Sequence, residues 1–243
     1  MKVRKIQNMK IEYIDNDINK GIKYDYNLIR KELKKYVPQK YYNPISNINK
    51  SNYHVLISER NVGKTTNVIL LGMVMFKLYG SQIQYIRTHN DMITRKATTQ
   101  LFETIKENNY ISKLTEGRYN DLDCYAGYWR FCNRDDDGKI FEKSEKAFMS
   151  MLSCDKVDDY KSSYNAPKGD IIIFDEFISM NRYTPRDEFI HFMDIVKTIK
   201  RGRLSVKIFM LANTIDKENR YFDELGIYEE IHRLKYGSSI LCQ

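Results

Sequence analysis

The stretch at 53–80 constrains this chain more than any other. It reads YHVLIS, then ERNVGKTT, then NVILLGMVMFKLYG. The first piece is a short apolar run with β-branched residues, which predicts a buried strand. The last is a long apolar run closed by Gly80, which predicts a helix with glycine in its C-terminal cap. Between them a tight turn ends in Gly63-Lys64-Thr65-Thr66. A strand, a turn with glycine-lysine-threonine and a helix form the setting of a phosphate-binding loop.

The reason is electrostatic. Successive backbone N–H groups and a helix N-terminus converge on one point and favour an anion there. Lys64 is expected to reach the β and γ phosphates of ATP, and the Thr65 hydroxyl to hold Mg²⁺. The expected nucleotide-binding positions are Ser58, Glu59, Arg60, Asn61, Val62, Gly63, Lys64, Thr65 and Thr66. One departure stands out: the motif has glycine where this chain has Ser58. Either Ser58 takes that glycine's backbone angles or the loop opens differently.

The second informative stretch is IIIFDEF at 171–177. An unbroken apolar run ending in acids predicts a strand buried on both faces, as in a parallel sheet. Asp175 then sits at the C-terminal end, where open α/β sheets bind ligands, and is expected to hold Mg²⁺. Glu176 beside it is placed to orient or deprotonate the attacking water. The gap between the two motifs leaves room for an extra strand at 83–87 (IQYIR). A helix is predicted at 188–200 and a buried strand at 205–211 (SVKIFML). Asn213, just past that strand, faces the outer phosphate or is simply a turn residue. Arg201 and Arg203 read either as a solvated helix end, favoured by the macrodipole, or as an arginine finger for a neighbouring subunit's ATP.

The rest of the chain adds organisation. The net charge of +8 suggests a polyanionic partner, and residues 1–50 carry most of it, with 12 Lys and Arg against 5 Asp and Glu. A helix at 26–36 within this stretch packs on the main domain or forms an arm; the expected division is a basic helical extension at 1–50 and an ATPase domain at 51–243. YYNP at 41–44 is a turn close to the expected adenine position. A helix is predicted within 89–109 and a polar loop at 154–168. Aromatic runs at 124–133 and 140–152 flank Asp135-Asp136-Asp137-Gly138, a hairpin signal within an insertion at about 115–155. The same acids suggest a calcium loop, but its closing position is Ser144 rather than Glu. Cys124, Cys132, Cys154 and Cys242 match neither zinc spacing nor a disulfide framework. No apolar run reaches membrane-spanning length.

Laid out in order, strand–GKT–helix, YIR, hairpin, FDEF, RGR and LAN resemble the DNA-encapsidation ATPases of small short-tailed bacteriophages, from about residue 41 to about residue 222. The resemblance implies a RecA-like P-loop fold with an additional strand and a catalytic glutamate. It implies Mg²⁺-dependent ATP hydrolysis that drives double-stranded DNA into a procapsid in the infected host's cytoplasm. The partners implied are the portal and procapsid, a homo-oligomeric ring, pentameric in the family, and a structural RNA in some settings; no membrane is implied. Lys64 and Thr65 match the first nucleotide motif, Asp175 and Glu176 the second, and Arg201 the finger, with Arg203 as its alternate. Arg60 matches a loop arginine and Arg87 a second-strand arginine, and Lys161 lies near a family lysine, offset by a one-residue gap. Ser58 and Asn61 replace family glycines. Family members carry a further C-terminal, nuclease-like domain, so the end at Gln243 implies either the ATPase domain alone or a shorter protein. Rival readings are a nucleoside or small-molecule kinase, another P-loop DNA translocase, and a catalytically weak nucleotide-dependent nucleic-acid-binding module.

Overall fold

The computed structural model describes residues 24–37, 41–164, 166, 168–178, 187–213, 219–235 and 238. Residues 1–23, Pro38 and Cys242 lie outside them, as does the side chain of Lys161. The described residues form eight strands: β1 (Tyr53–Ser58), β2 (Gln82–Arg87), β3 (Asp121–Tyr125), β4 (Tyr128–Arg134), β5 (Ile140–Lys143), β6 (Met149–Ser153), β7 (Gly169–Asp175) and β8 (Lys207–Asn213). They form one sheet in the order β1-β8-β7-β2-β6-β4-β3, with β5 paired to β4. β1, β8, β7, β2 and β6 run parallel, and β4 and β3 continue the sheet antiparallel. The architecture is mixed α/β, with helices on both faces of a mainly parallel core.

One face carries α1 (Tyr26–Leu33), α2 (Lys64–Tyr79), α4 (Glu103–Glu107) and α5 (Tyr110–Leu114). Val68, Ile69, Leu71, Met73 and Val74 of α2 are all buried, because the helix is apolar nearly all round and lies between the sheet and α1. Ile29 and Leu33 of α1 join the same core, so the part of the basic stretch described here packs as a helix on α2. The other face carries α6 (Val157–Ser163), α7 (Glu188–Lys200), α8 (Arg220–Glu224) and α9 (Tyr228–Arg233). With both faces covered, every residue of β7 is buried, as its unbroken apolar run requires.

Several expectations are corrected. The strand expected at 83–87 is present as β2, on the far side of β7, and the strand between β1 and β7 is β8. The aromatic run at 124–133 is split by a turn at Ala126 (φ 50°) and Gly127 (φ 80°) into β3 and β4. The run at 140–152 is likewise two strands, and its second half, β6, pairs with β2 in the parallel sheet. The turn at 135–138 does join antiparallel β4 and β5. The helix expected within 89–109 is broken into 3₁₀ turns, α3 (Arg95–Thr99) and α4. Thr94 restarts it, extended at φ −66°, ψ 157° and accepting the Ala97 N–H, while Thr98 and Thr99 bond back to carbonyls one turn earlier. The loop expected at 154–168 contains α6.

Two contacts set measurable expectations. A Cβ on Gly72 of α2 would lie 2.3 Å from Cγ1 of the buried Ile83. Gly72→Ala is therefore expected to destabilise the fold by about 1–3 kcal/mol despite alanine's higher helix propensity, with Ile83→Val recovering part of the loss in urea unfolding. His54 on β1 stacks on Phe209 with centroids 4.7 Å apart, and its Nε2 lies 3.1 Å from the Ser51 carbonyl. Burial, with Lys207 nearby, pushes it down to about 4. A depressed histidine contributes stability above its unfolded value near 6.5, and that contribution is lost as pH falls towards 4. His54→Phe keeps the stack, and Lys207 still donates to the Ser51 carbonyl. The variant is expected to lack on the order of 3 kcal/mol of the wild-type stability loss between pH 6.5 and 4.

Candidate active site

A parallel, in-register sheet brings the C-terminal ends of its strands to one rim. Ser58 stands opposite Asn213, Asp175 opposite Leu211, and Ile86 opposite Phe174, so the loop after β1, the acids of β7 and Arg87 of β2 meet there. An open cleft of about 820 Å³ lies along that rim, lined by residues 60–67, Asp175, Glu176 and Asn213 together with Tyr36, Tyr41 and Tyr110.

The loop's shape follows from two residues with positive φ. Gly63 (φ 77°) is the N-cap of α2, and Asn61 (φ 66°) takes a left-handed backbone, which asparagine tolerates. Ser58 is not among the positive-φ residues; it ends β1 as an ordinary strand residue. The loop is clamped from outside by the YYNP turn: the Tyr42 N–H donates to the Val62 carbonyl at 3.2 Å, and Asn67 Nδ2 donates to the Tyr42 carbonyl at 2.7 Å.

Lys64 is folded back over this loop. Its Nζ donates to the Ser58 carbonyl (3.0 Å), Ser58 Oγ (2.8 Å) and the Glu59 carbonyl (2.9 Å), with Asn213 Oδ1 at 3.4 Å. Burial lowers its pKa, and Asp175 pulls the other way. Such an ammonium, held by neutral oxygens at a helix N-terminus, has all its bonds exchangeable for those of an anion.

Thr65 Oγ1 donates to Asp175 Oδ1 at 3.1 Å, and Tyr85 OH donates to the other oxygen, Oδ2, at 2.8 Å. Burial raises the Asp175 pKa, and the Arg87 guanidinium, 3.8 Å away, together with Tyr85 counters the shift. The Tyr85 phenol is pushed far up by burial and stays a donor. Glu176 follows at φ 52°, an uncommon backbone for a non-glycine residue, and forms an ion pair with Arg87. Burial opposes the Arg87 charge, but Tyr85, Asp175 and Glu176 outweigh it and raise its pKa. Arg87 therefore sits behind the two acids.

The arginine pair after α7 separates. Arg201 is the exposed αL cap of α7, bonded to the Tyr164 carbonyl at 2.8 Å and far along the sheet from this chain's own cleft. Arg203, expected as the alternate finger, instead forms an ion pair with the buried Asp170 at 2.8 Å and donates to the carbonyls of Ala166, Gly169, Ile199 and Lys200. That ties it to the opposite end of β7. No cluster of three or more His, Cys, Asp or Glu suited to a metal occurs among the described residues, and Cys124, Cys132 and Cys154 are buried free thiols.

Against known proteins, no family model and no curated sequence matches the chain. Among solved structures it is similar to the N-terminal domain of the DNA packaging ATPase from bacteriophage phi29, at 19% identity and TM-score 0.59 over 77% of this chain and 87% of that one. Its fold is that of a phage packaging-ATPase domain. It is also similar to the Phi-28 gp11 DNA packaging motor (22% identity, TM-score 0.56, 82% of this chain and 58% of that one) and to the bacteriophage Phi-29 viral genome packaging motor assembly (19%, 0.58, 78% and 52%). The chain thus spans little more than half of each of those two motor chains.

Tyr85 and Asn67 were not singled out from sequence. For Tyr85 the available signal is the two-residue period of β2, which puts it on the same side as Arg87. Tyr85→Phe is expected to weaken nucleotide binding or turnover roughly tenfold near neutral pH, the worth of one hydrogen bond to a charged group. It removes a contact that lowers the Asp175 pKa, so the acidic limb of the pH profile is expected to move to higher pH. An unmoved limb would assign Tyr85 to packing alone.

Proposed function

We propose that this chain is a Mg²⁺-dependent ATPase that drives double-stranded DNA into a procapsid. It would work as a homo-oligomeric ring on the portal in the cytoplasm of an infected bacterium. In this reading residues 51–243 are the ATPase domain and 1–50 a basic extension on it. The observation that carries the proposal is the 3.1 Å contact between Thr65 and Asp175 at the mouth of a loop holding Lys64. The likeness to packaging-motor structures supports the substrate and partners: duplex DNA, portal and procapsid, with a structural RNA left as an open addition. No helix among the described residues is long and apolar enough to cross a membrane.

The residues present fit Mg²⁺. One hydroxyl and one carboxylate, both hard oxygens, suit an ion that keeps several waters and takes its remaining ligands from phosphates. Thr65 and Asp175 would hold it, and it would neutralise charge on the β and γ phosphates. The chain's own groups do the rest. Backbone N–H groups of residues 60–66 cradle the phosphates, and Lys64 exchanges its loop carbonyls for them. Glu176 orients the attacking water and takes its proton. Asn213, 3.4 Å from Lys64 Nζ, monitors the outer phosphate. Arg201 of one copy, exposed at the end of α7, supplies positive charge to the site of the next.

Glu176→Gln is expected to bind ATP and hydrolyse it at least tenfold more slowly in a phosphate-release assay. Unchanged turnover removes Glu176 from the role. Mixing Arg201→Ala with Glu176→Gln subunits is expected to restore part of the activity, since some interfaces then pair an intact finger with an intact base. DNA-stimulated release of inorganic phosphate with no phosphorylated product separates this reading from a kinase.

A further inference from the structure

One face of the sheet is only partly covered. α6 and α7 pack over the β2, β7 and β8 side chains and reach β6, where Ser150 bonds Tyr164 at 2.6 Å. Tyr128 of β4 stands opposite Ser150 and points to that side. Past β6 the same side of β3, β4 and β5 presents Tyr125 (73% exposed), Tyr128 (39%), Phe141 (67%) and Lys143, with Arg130 partly exposed. A cavity of about 360 Å³, lined in part by Tyr128, Tyr160 and Tyr164, sits where α6 gives way to this open shelf.

Its charge is unbalanced. Asp123 is shared by Arg95 (3.1 Å) and Lys143 (2.7 Å), and Asp121 by Lys106 (2.5 Å) and Arg134 (2.6 Å). Arg130 lies 5.8 Å from the Tyr128 ring centroid and pairs with no carboxylate among the described residues. Arg95, Arg130, Arg134 and Lys143 thus stand against two carboxylates beside three exposed aromatic rings, with Lys106 reaching Asp121 from α4 on the other face. The acidic turn at 135–137 closes the far end of β4.

We infer that this shelf binds a single-stranded stretch of DNA. Exposed rings offer stacking surfaces that unpaired bases can use and that a duplex, with its bases already stacked, cannot. The surplus cations suit phosphates. The shelf runs about 20 Å along β4, room for roughly four nucleotides, and the acidic turn bounds it. The inference stands apart from the ATPase reading, because it needs neither nucleotide nor the residues of the cleft.

Fluorescence anisotropy of a labelled oligothymidylate, without nucleotide and across salt concentration, tests it on the full chain. Tyr125→Ala with Tyr128→Ala is expected to weaken binding at least tenfold while leaving duplex binding unchanged. Phenylalanine at both positions is expected to retain affinity, since the stacking faces remain. Arg130→Gln is expected to reduce the salt slope by about 0.7, one phosphate contact to a single strand. Should the alanine pair fail to fold, Tyr125→Ser at the exposed tip carries the same test. Undiminished oligothymidylate binding by the substituted proteins overturns the inference. So does an equal loss of duplex binding, or a change of oligomeric state with single-strand affinity intact, which would make the shelf a subunit interface.

Discussion

The hydrogen bond from Thr65 to Asp175 joins the first turn of α2 to the last residue of β7. It requires that β1 and β7 end at the same rim with a single strand between them at the right register. β8 fills that place, with Asn213 level with Ser58 and Leu211 level with Asp175. A slip of one residue in either pairing would turn alternate side chains to the wrong face and separate the two oxygens. The two hydrophobic layers that bury β7 on both sides therefore also hold the site's geometry.

That placement costs stability locally. Asp175 is buried, and desolvation works against its charge. Arg87 and Tyr85 offset the cost from behind, so the carboxylate is oriented by groups that do not enter the cleft. Glu176 is different: its side chain is about half exposed, and its backbone takes an uncommon conformation one residue beyond the strand. One acid is thus fixed and the other is accessible, although they are adjacent in sequence. A buried, doubly bonded carboxylate suits a fixed ligand role, and a half-exposed one at the cleft suits proton transfer.

Much of this was legible in the sequence. The strand at 53–58 and the long helix after it are where the patterns place them, and the apolar run before Asp175 is a strand covered on both faces; β1, however, is an edge strand in which only His54 is buried, so its apolar run overstated its burial. Strand order was not legible, because period and composition do not say which neighbour a buried strand takes; that β8 stands between the two motif strands follows only from the pairing. The broken helix at 90–107 was hidden because its apolar residues keep a step of four while threonines interrupt the backbone. Arg201 and Arg203 look alike in sequence, and only burial of Asp170 distinguishes them.

The two loop substitutions make the same point from the opposite direction. A phosphate loop needs particular backbone angles and inward N–H groups, and glycine is one means of obtaining them. Asn61 adopts the left-handed angle without glycine, and Gly63 is retained at the cap, where a Cβ would come within 3.1 Å of Asn67 Nδ2. Ser58 needs no unusual angle because the strand runs through it, and its hydroxyl gives Lys64 an acceptor that a glycine lacks. A glycine missing from a motif therefore says little until its backbone angle is known. Here the position that departs from the motif adds a polar contact to Lys64.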